Sequence, residues 1–302
     1  MRRSKAFCPG HITGFFQICD EAMDPLKQGS RGAGVAIELG VVTSVEVGKG
    51  QRNRVEIRID GNPVRAQTSR RVVNHFLSLV KGRWRVKVEH EFGIPIGYGF
   101  GASGAGALSL ALALNEAFDL GLSKIEASRV AHLSEVECKT GLGDVIAQWL
   151  GGLEIRKEPG APGIGRIKRI PIKQDFKLLS LCFAPLATKK ILSNPFLKER
   201  INRAGAECVK ELLRKPTPEN FMLLSQRFSQ ETGLLTPRMR KVMEEVEKEG
   251  FIASMVMLGE ALFAVVEEEK VKRIKSIFGK RGGEVIVASV DFRGARTLSS
   301  SS

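Results

Sequence analysis

The chain has 302 residues, 47 Lys and Arg against 33 Asp and Glu, and 43% hydrophobic residues, a soluble globular mixture that excludes a disordered or collagen-like chain. Its basic start, MRRSKAFCPG, lacks the apolar run of an export signal. The most apolar stretches, AGALSLALAL and MVMLGEALFAVV, fall short of the roughly 18 apolar residues a spanning helix needs, so a cytoplasmic protein without a membrane partner is expected.

Five cysteines with no CxxC pair read as reduced thiols. The net charge of +14 suits nucleic acid, an anionic surface or small anionic ligands. Residues 49–87 carry eleven Lys or Arg against two acids, and 270–281 carry six against none. With one Tyr and two Trp in the chain, these runs lack the aromatic supply of a single-strand stacking surface, so nucleic-acid binding is the less favoured reading.

In chain order, VAIELGVVTSVEV (35–47), RVEIRID (54–60) and RWRVKVEHEF (83–92) have the period of two and the β-branched content of strands. Helices are predicted over 103–119 and 124–138, the second opened by Ser123 with Glu126 three residues later as a capping box. PGAPGIG (159–165) interrupts both periodicities and sets an expected boundary between domains 1–165 and 166–302. Beyond it the pattern predicts a strand near 178–185 and helices near 195–214, 218–231 and 236–249. Paired strands within 252–266, a helix near 267–279, a strand near 284–292 and a flexible tail, TLSSSS, complete the chain. Strands followed by helices make an α+β protein.

The stretch PIGYGFGASGAGALSL (95–110) places five glycines within 97–106 ahead of an apolar helix. Gly99, Gly101 and Gly104 meet the dinucleotide pattern GxGxxG, but no helix–strand continuation ends in an acid, since Asp119 lies between two predicted helices. No Gly-Lys-Ser/Thr follows, which excludes a Walker loop, and a protein kinase lacks its HRD segment here. What survives is the physics: glycines let backbone amides approach a phosphate, and a helix N-terminus adds positive potential. A tight turn allowing close helix packing is the plainer alternative.

PIGYGFGASGA resembles the PxxxGLGSSxA phosphate loop of the GHMP kinases, the small-molecule kinases named for galactokinase, homoserine kinase, mevalonate kinase and phosphomevalonate kinase. Pro95, Gly99, Gly101, Ser103 and Ala105 match in order, while Phe100 replaces Leu and Ala102 replaces the first Ser. The resemblance implies ATP on residues 95–105, Gly97 and Gly104 included, and Mg²⁺ beside Ser103. It also implies an N-terminal ribosomal-protein-S5-domain-2-like domain and a C-terminal ferredoxin-like α+β domain, and leaves room for a homodimer.

CPGHITGFF (8–16) resembles the family's PGK/PGR segment with His11 at the basic position, where a structural role is the expectation. TGLGDVIAQWLGGLEIR (140–156) resembles the SGxDN…GG segment, which implies that Asp144 activates the acceptor hydroxyl. In AHLSEVE (131–137), the resemblance makes Glu135 the magnesium ligand, with Glu137 in reserve because the two point to different helix faces. Taken alone, Asp144 could merely cap a helix and either glutamate could sit on a solvated face. ASMVMLGEALFAVV keeps Gly259 without the family's C-terminal glycine cluster, which leaves open how that half supports the phosphate loop.

The combination of PGHITGFF, GSRGAGVAIELGVVTSVEV, PIGYGFGASGAG and TGLGDV resembles most the archaeal members that phosphorylate pantoate; mevalonate, homoserine and shikimate are the alternative acceptors. A carboxylate acceptor needs a cation or polar donor, and with the resemblance this points to Ser30, His132 and Arg156. Thr188 is added as a hydroxyl near the transferred phosphate, although by itself it is an ordinary threonine.

Overall fold

The computed structural model describes residues 1–185 and 195–299. Strands β1 (Arg2–Cys19) and β2 (Gly29–Lys49) form a long antiparallel hairpin whose register slips at Pro9/Gly10 and Thr13/Phe15. Sequence patterning marks no strand over β1 because Pro-Gly reads as punctuation; here the pair is absorbed at a bulge, where a missing ladder donor is tolerated.

The C-terminal half of β2 pairs with β5 (Trp84–Phe92), which runs parallel to β3 (Arg54–Ile59), and β3 turns back into β4 (Asn62–Pro63). The other half of β2 pairs with β6 (Leu153–Glu158), which pairs in turn with β7 (Arg166–Ile170). Helix α2 (Ala102–Phe118) packs on β1 and β2, with α1 (Gln67–Leu79), α3 (Lys124–Cys138) and α4 (Asp144–Leu150) around it. It is apolar on nearly every side, as a central helix must be. The capping box forms, Ser123 accepting from the Glu126 amide. Helix α1 escapes the sequence reading because a basic run hides the buried stripe of Val72, Val73 and Phe76.

A second antiparallel sheet has the order β11-β8-β10-β9, from β8 (Phe176–Ala184), β9 (Ser254–Met255), β10 (Glu260–Glu267) and β11 (Glu284–Ser289). With it go α5 (Pro195–Arg214), α6 (Pro218–Thr232), α7 (Pro237–Lys248) and α8 (Val271–Gly279). Helices α6 and α7 both start at Thr-Pro: Thr217 and Thr236 accept from the amides of Asn220 and Met239, and the prolines sit where no amide partner is needed.

The two sheets share one hydrophobic cluster. Phe15 on β1 stacks 6.2 Å from Phe221, and Phe16 lies 5.9 Å from Phe228. A Cβ on Gly205 of α5 would lie 2.1 Å from the Phe16 carbonyl oxygen, so a glycine is required for that approach. The PGAPGIG turn joins β6 to β7 inside the first sheet, and the chain leaves that sheet between Ile170 and Phe176. It returns at the end: Thr297 and Leu298, expected in a flexible tail, belong to β12 (Arg296–Leu298) and pair with Ala6 and Lys5. Among the described residues no helix is long and apolar enough to cross a membrane.

Candidate active site

The glycine stretch is the loop between β5 and α2. Gly97, Gly99 and Gly101 have φ of 87°, 81° and 65°, a region that costs other residues strain. Gly101 is the N-cap of α2, contributes no side-chain cap, and no acidic residue occupies the first turn. The first amides of α2 are thus left for an anion. Two glycines serve packing as well: a Cβ at Gly101 would lie 2.9 Å from Gln148 Nε2, and one at Gly104 2.9 Å from Gln148 Oε1, so both clear the way for α4. Gln148 Nε2 donates to the Gly101 carbonyl at 2.9 Å, and the His11 amide donates to the Phe100 carbonyl at 3.0 Å. Support from the C-terminal half is direct. A Cβ on Gly259 would stand 2.1 Å from the Tyr98 carbonyl oxygen, so one glycine in place of the family cluster lets the 256–259 turn press on the loop.

Beside the loop lies a cavity of about 400 Å³, lined among others by Ser30, Gly101, Ser103, Asp144 and Arg156, with Phe16, Met257 and Leu258 as apolar wall. Ser103, in the first turn of α2, donates to Glu135 Oε1 at 2.5 Å, and Thr140 donates to the same oxygen at 2.7 Å. Burial pushes the Glu135 pKa up to about 7, against the lowering effect of those two hydroxyls and with a contribution from the charge of Asp144. Glu137 turns the other way, to Arg71 at 2.8 Å and His75 at 3.2 Å.

Asp144, the first residue of α4, accepts from His11 Nδ1 at 2.9 Å through Oδ1. The other ring nitrogen, Nε2, donates to Glu154 Oε1 at 3.1 Å, and Arg156 Nη1 donates to that same oxygen. Burial disfavours a charged His11, yet the hydrogen bonds to Asp144 and Glu154 outweigh it and raise its pKa. His11, Glu154 and Arg156 are all buried. Ser30 completes this side: a Cβ on Gly143 would stand 2.0 Å from Ser30 Oγ and 3.1 Å from Arg156 Nε.

The structure thus brings Ser103, Glu135, Asp144, Arg156 and Ser30 together. It does not bring in His132. That ring is buried, donates to the Pro25 carbonyl at 3.2 Å, and is not among the cavity's lining residues; burial lowers its pKa. One helical turn from Glu135 still leaves enough rotation to face the segment before β2 instead. Ala105 is fully buried and Pro95 half-buried, and neither lines the cavity. Thr188 lies outside the described residues. Sequence reasoning set aside His11 and missed Glu154, Thr140 and Gln148. Glu154 had a signal: it stands two residues before Arg156 on a strand, so both share a face.

Among the described residues no cluster of three or more His, Cys, Asp or Glu side chains could hold a metal alone. Magnesium, however, is commonly held by one or two protein oxygens together with substrate phosphates. The Ser103 and Glu135 oxygens fit that donor chemistry, and a Cβ at Gly141 would fill the space 2.4 Å from Glu135 Oε2 and 3.6 Å from Asp144 Oδ2.

With this geometry in view, comparison with known proteins places the chain. The family described as GHMP kinases N terminal domain matches residues 68–152, and the chain belongs to the GHMP kinase family. It is 38% identical to a pantoate kinase of Methanocaldococcus jannaschii over 90% of this chain and 96% of that one. A pantoate kinase of Thermococcus kodakarensis is also 38% identical, over 90% of this chain and 91% of that one. The solved structure of a phosphotransferase related to the CoA biosynthesis pathway superposes with a TM-score of 0.91 at 32% identity, covering 99% of this chain and 100% of that one.

Proposed function

We propose that this chain transfers the γ-phosphoryl group of ATP to pantoate, giving ADP and 4-phosphopantoate on the way to coenzyme A. One observation carries the reading: a single cavity is lined by Arg156, Ser30, Asp144 and the glycine loop, with the Asp144 carboxylate 3.3 Å from where a Cβ on Gly101 would stand. A guanidinium and a hydroxyl suit the acceptor carboxylate. Asp144 keeps Oδ1 on His11 and turns Oδ2 to the acceptor hydroxyl, whose proton it takes as the phosphoryl group arrives. The loop amides and the N-terminus of α2 hold the triphosphate, and Phe16, Met257 and Leu258 supply apolar wall to the same cavity.

Ser103 and Glu135 would hold Mg²⁺, which when bound neutralises charge on the phosphates. The named relatives come from Methanocaldococcus jannaschii and Thermococcus kodakarensis; the enzyme is assigned to the cytoplasm of an archaeal cell, and as a homodimer it would sediment at twice the chain mass.

The test is ADP release with ATP and magnesium over pantoate, mevalonate, homoserine and shikimate. Turnover of pantoate is expected to exceed that of every other acceptor. Turnover of another alcohol with none on pantoate would overturn the assignment.

A further inference from the structure

We infer that Glu154 is a positioning residue that couples Arg156, on the acceptor-carboxylate side, to Asp144, on the hydroxyl side, through His11. The roles of Arg156 and Asp144 rest on the pantoate reading above; the coupling is a separate claim. Glu154 and Arg156 alternate on β6 and project to one face. Opposite them on β2 stand Gly34 and Gly32. A Cβ on Gly34 would lie 2.3 Å from His11 Nε2, and one on Gly32 would lie 2.9 Å from Arg156 Nη2. These two glycines leave the space in which three long polar side chains meet.

One oxygen does the joining. Glu154 Oε1 accepts both from His11 Nε2 at 3.1 Å and from Arg156 Nη1, while His11 Nδ1 holds Asp144 Oδ1 at 2.9 Å. His11 and Glu154 are 0% exposed and Arg156 1%, so water does not screen one contact from the next. Arg156 gives Glu154 only Nη1, and its buried Nε has no hydrogen-bond partner among the described residues. Nε lies near Gly143 and Ser30 at the cavity wall, on the side where the acceptor carboxylate would be received. The contacts therefore run without a break from the acceptor's carboxylate end to its hydroxyl end. An acceptor that engages Arg156 bears on the orientation of Asp144, which turns binding at one end into alignment at the other. A cluster that merely tied β1, β2, β6 and α4 together would have no such effect on catalysis.

The test is a double-mutant cycle in the full chain, with the acceptor the parent enzyme turns over best. His11→Asn is expected to lower kcat with KM for ATP unchanged, and Arg156→Lys to raise KM for the acceptor. The combined loss in kcat/KM should be smaller than the product of the two single losses by roughly threefold or more, as for residues in one network. In a Glu154→Met background, which removes the accepting oxygen at similar size, the same two changes should multiply to within about twofold.

Simple multiplication in the parent background would overturn the coupling, as would a Glu154→Met enzyme with unaltered kcat/KM. An equal rise in KM for ATP and acceptor in that variant would mark Glu154 as structural only. If thermal melting finds Glu154→Met unfolded, the cycle in the parent background decides alone. Should the parent prefer another alcohol, the pantoate assignment falls while the cycle on that alcohol still tests the coupling.

Discussion

Asp144 has one oxygen committed to His11, and that division of labour makes a sharp prediction at the scale of one atom. Asp144→Asn keeps an acceptor for His11 but no base for the hydroxyl. Its kcat in the ADP-release assay is expected to fall by about 10²–10⁴ with the melting temperature nearly retained. His90 makes a prediction of another kind. It is buried between Thr43 at 2.7 Å and Ser69 at 3.0 Å, and burial lowers its pKa to about 4, with a small opposing effect from Asp60. A histidine held neutral in the fold binds fewer protons than in the unfolded chain, so its contribution is fully present above pH 6.5 and is lost as pH falls toward 4. Between pH 7 and pH 5 it should cost about 2 kcal/mol, a drop in the urea midpoint that His90→Asn removes. At this scale the sequence was legible for placement where a motif fixes it: Ser103, Glu135 and Asp144 meet beside the glycine loop. It was not legible for His132, because helical spacing from Glu135 does not say which neighbour the face meets.

At the scale of elements, the glycines of the loop divide into those that space or conformation requires and one that neither does. Gly101 needs positive φ and room for α4, and Gly259 needs room for Tyr98. Gly106, by contrast, is helical and a Cβ there would meet Phe92 and His90 at ordinary contact distances of 3.7 and 3.8 Å. Gly106→Ala is therefore expected to stabilise the protein by about 0.5–1 kcal/mol in urea unfolding, through helix propensity. Gly259→Ala should instead destabilise the protein and raise KM for ATP, because its Cβ has no space against backbone. The capping box of α3 and the strands β3 and β5 were readable from local pattern. Strand β1 was not, since its Pro9-Gly10 bulge is paid for by pairing with β2, a contact that no local window contains.

Over the whole molecule, a net charge of +14 draws anionic substrates to the surface as well as to the cavity. KM for the acceptor is expected to rise several-fold between about 0.05 and 0.5 M salt while kcat changes little, as long-range attraction is screened and the enclosed chemistry is not. The surface runs themselves are partly neutralised: Lys270, Arg273 and Arg281 pair with Glu267, Glu249 and Glu245. The order of predicted strands and helices conveyed the α+β class, but the return of β12 to the first sheet and the shared core between sheets depend on contacts between distant segments.

The central claim is tested most directly by ³¹P NMR of the product formed from ATP, magnesium and pantoate. The account predicts one new phosphomonoester, on the 4-hydroxyl of pantoate, appearing in step with ADP and at least about a hundredfold more slowly with Asp144→Asn. Hydrolysis of ATP to ADP and inorganic phosphate with no phosphorylated acceptor, or a phosphoryl group on the pantoate carboxylate, would contradict it.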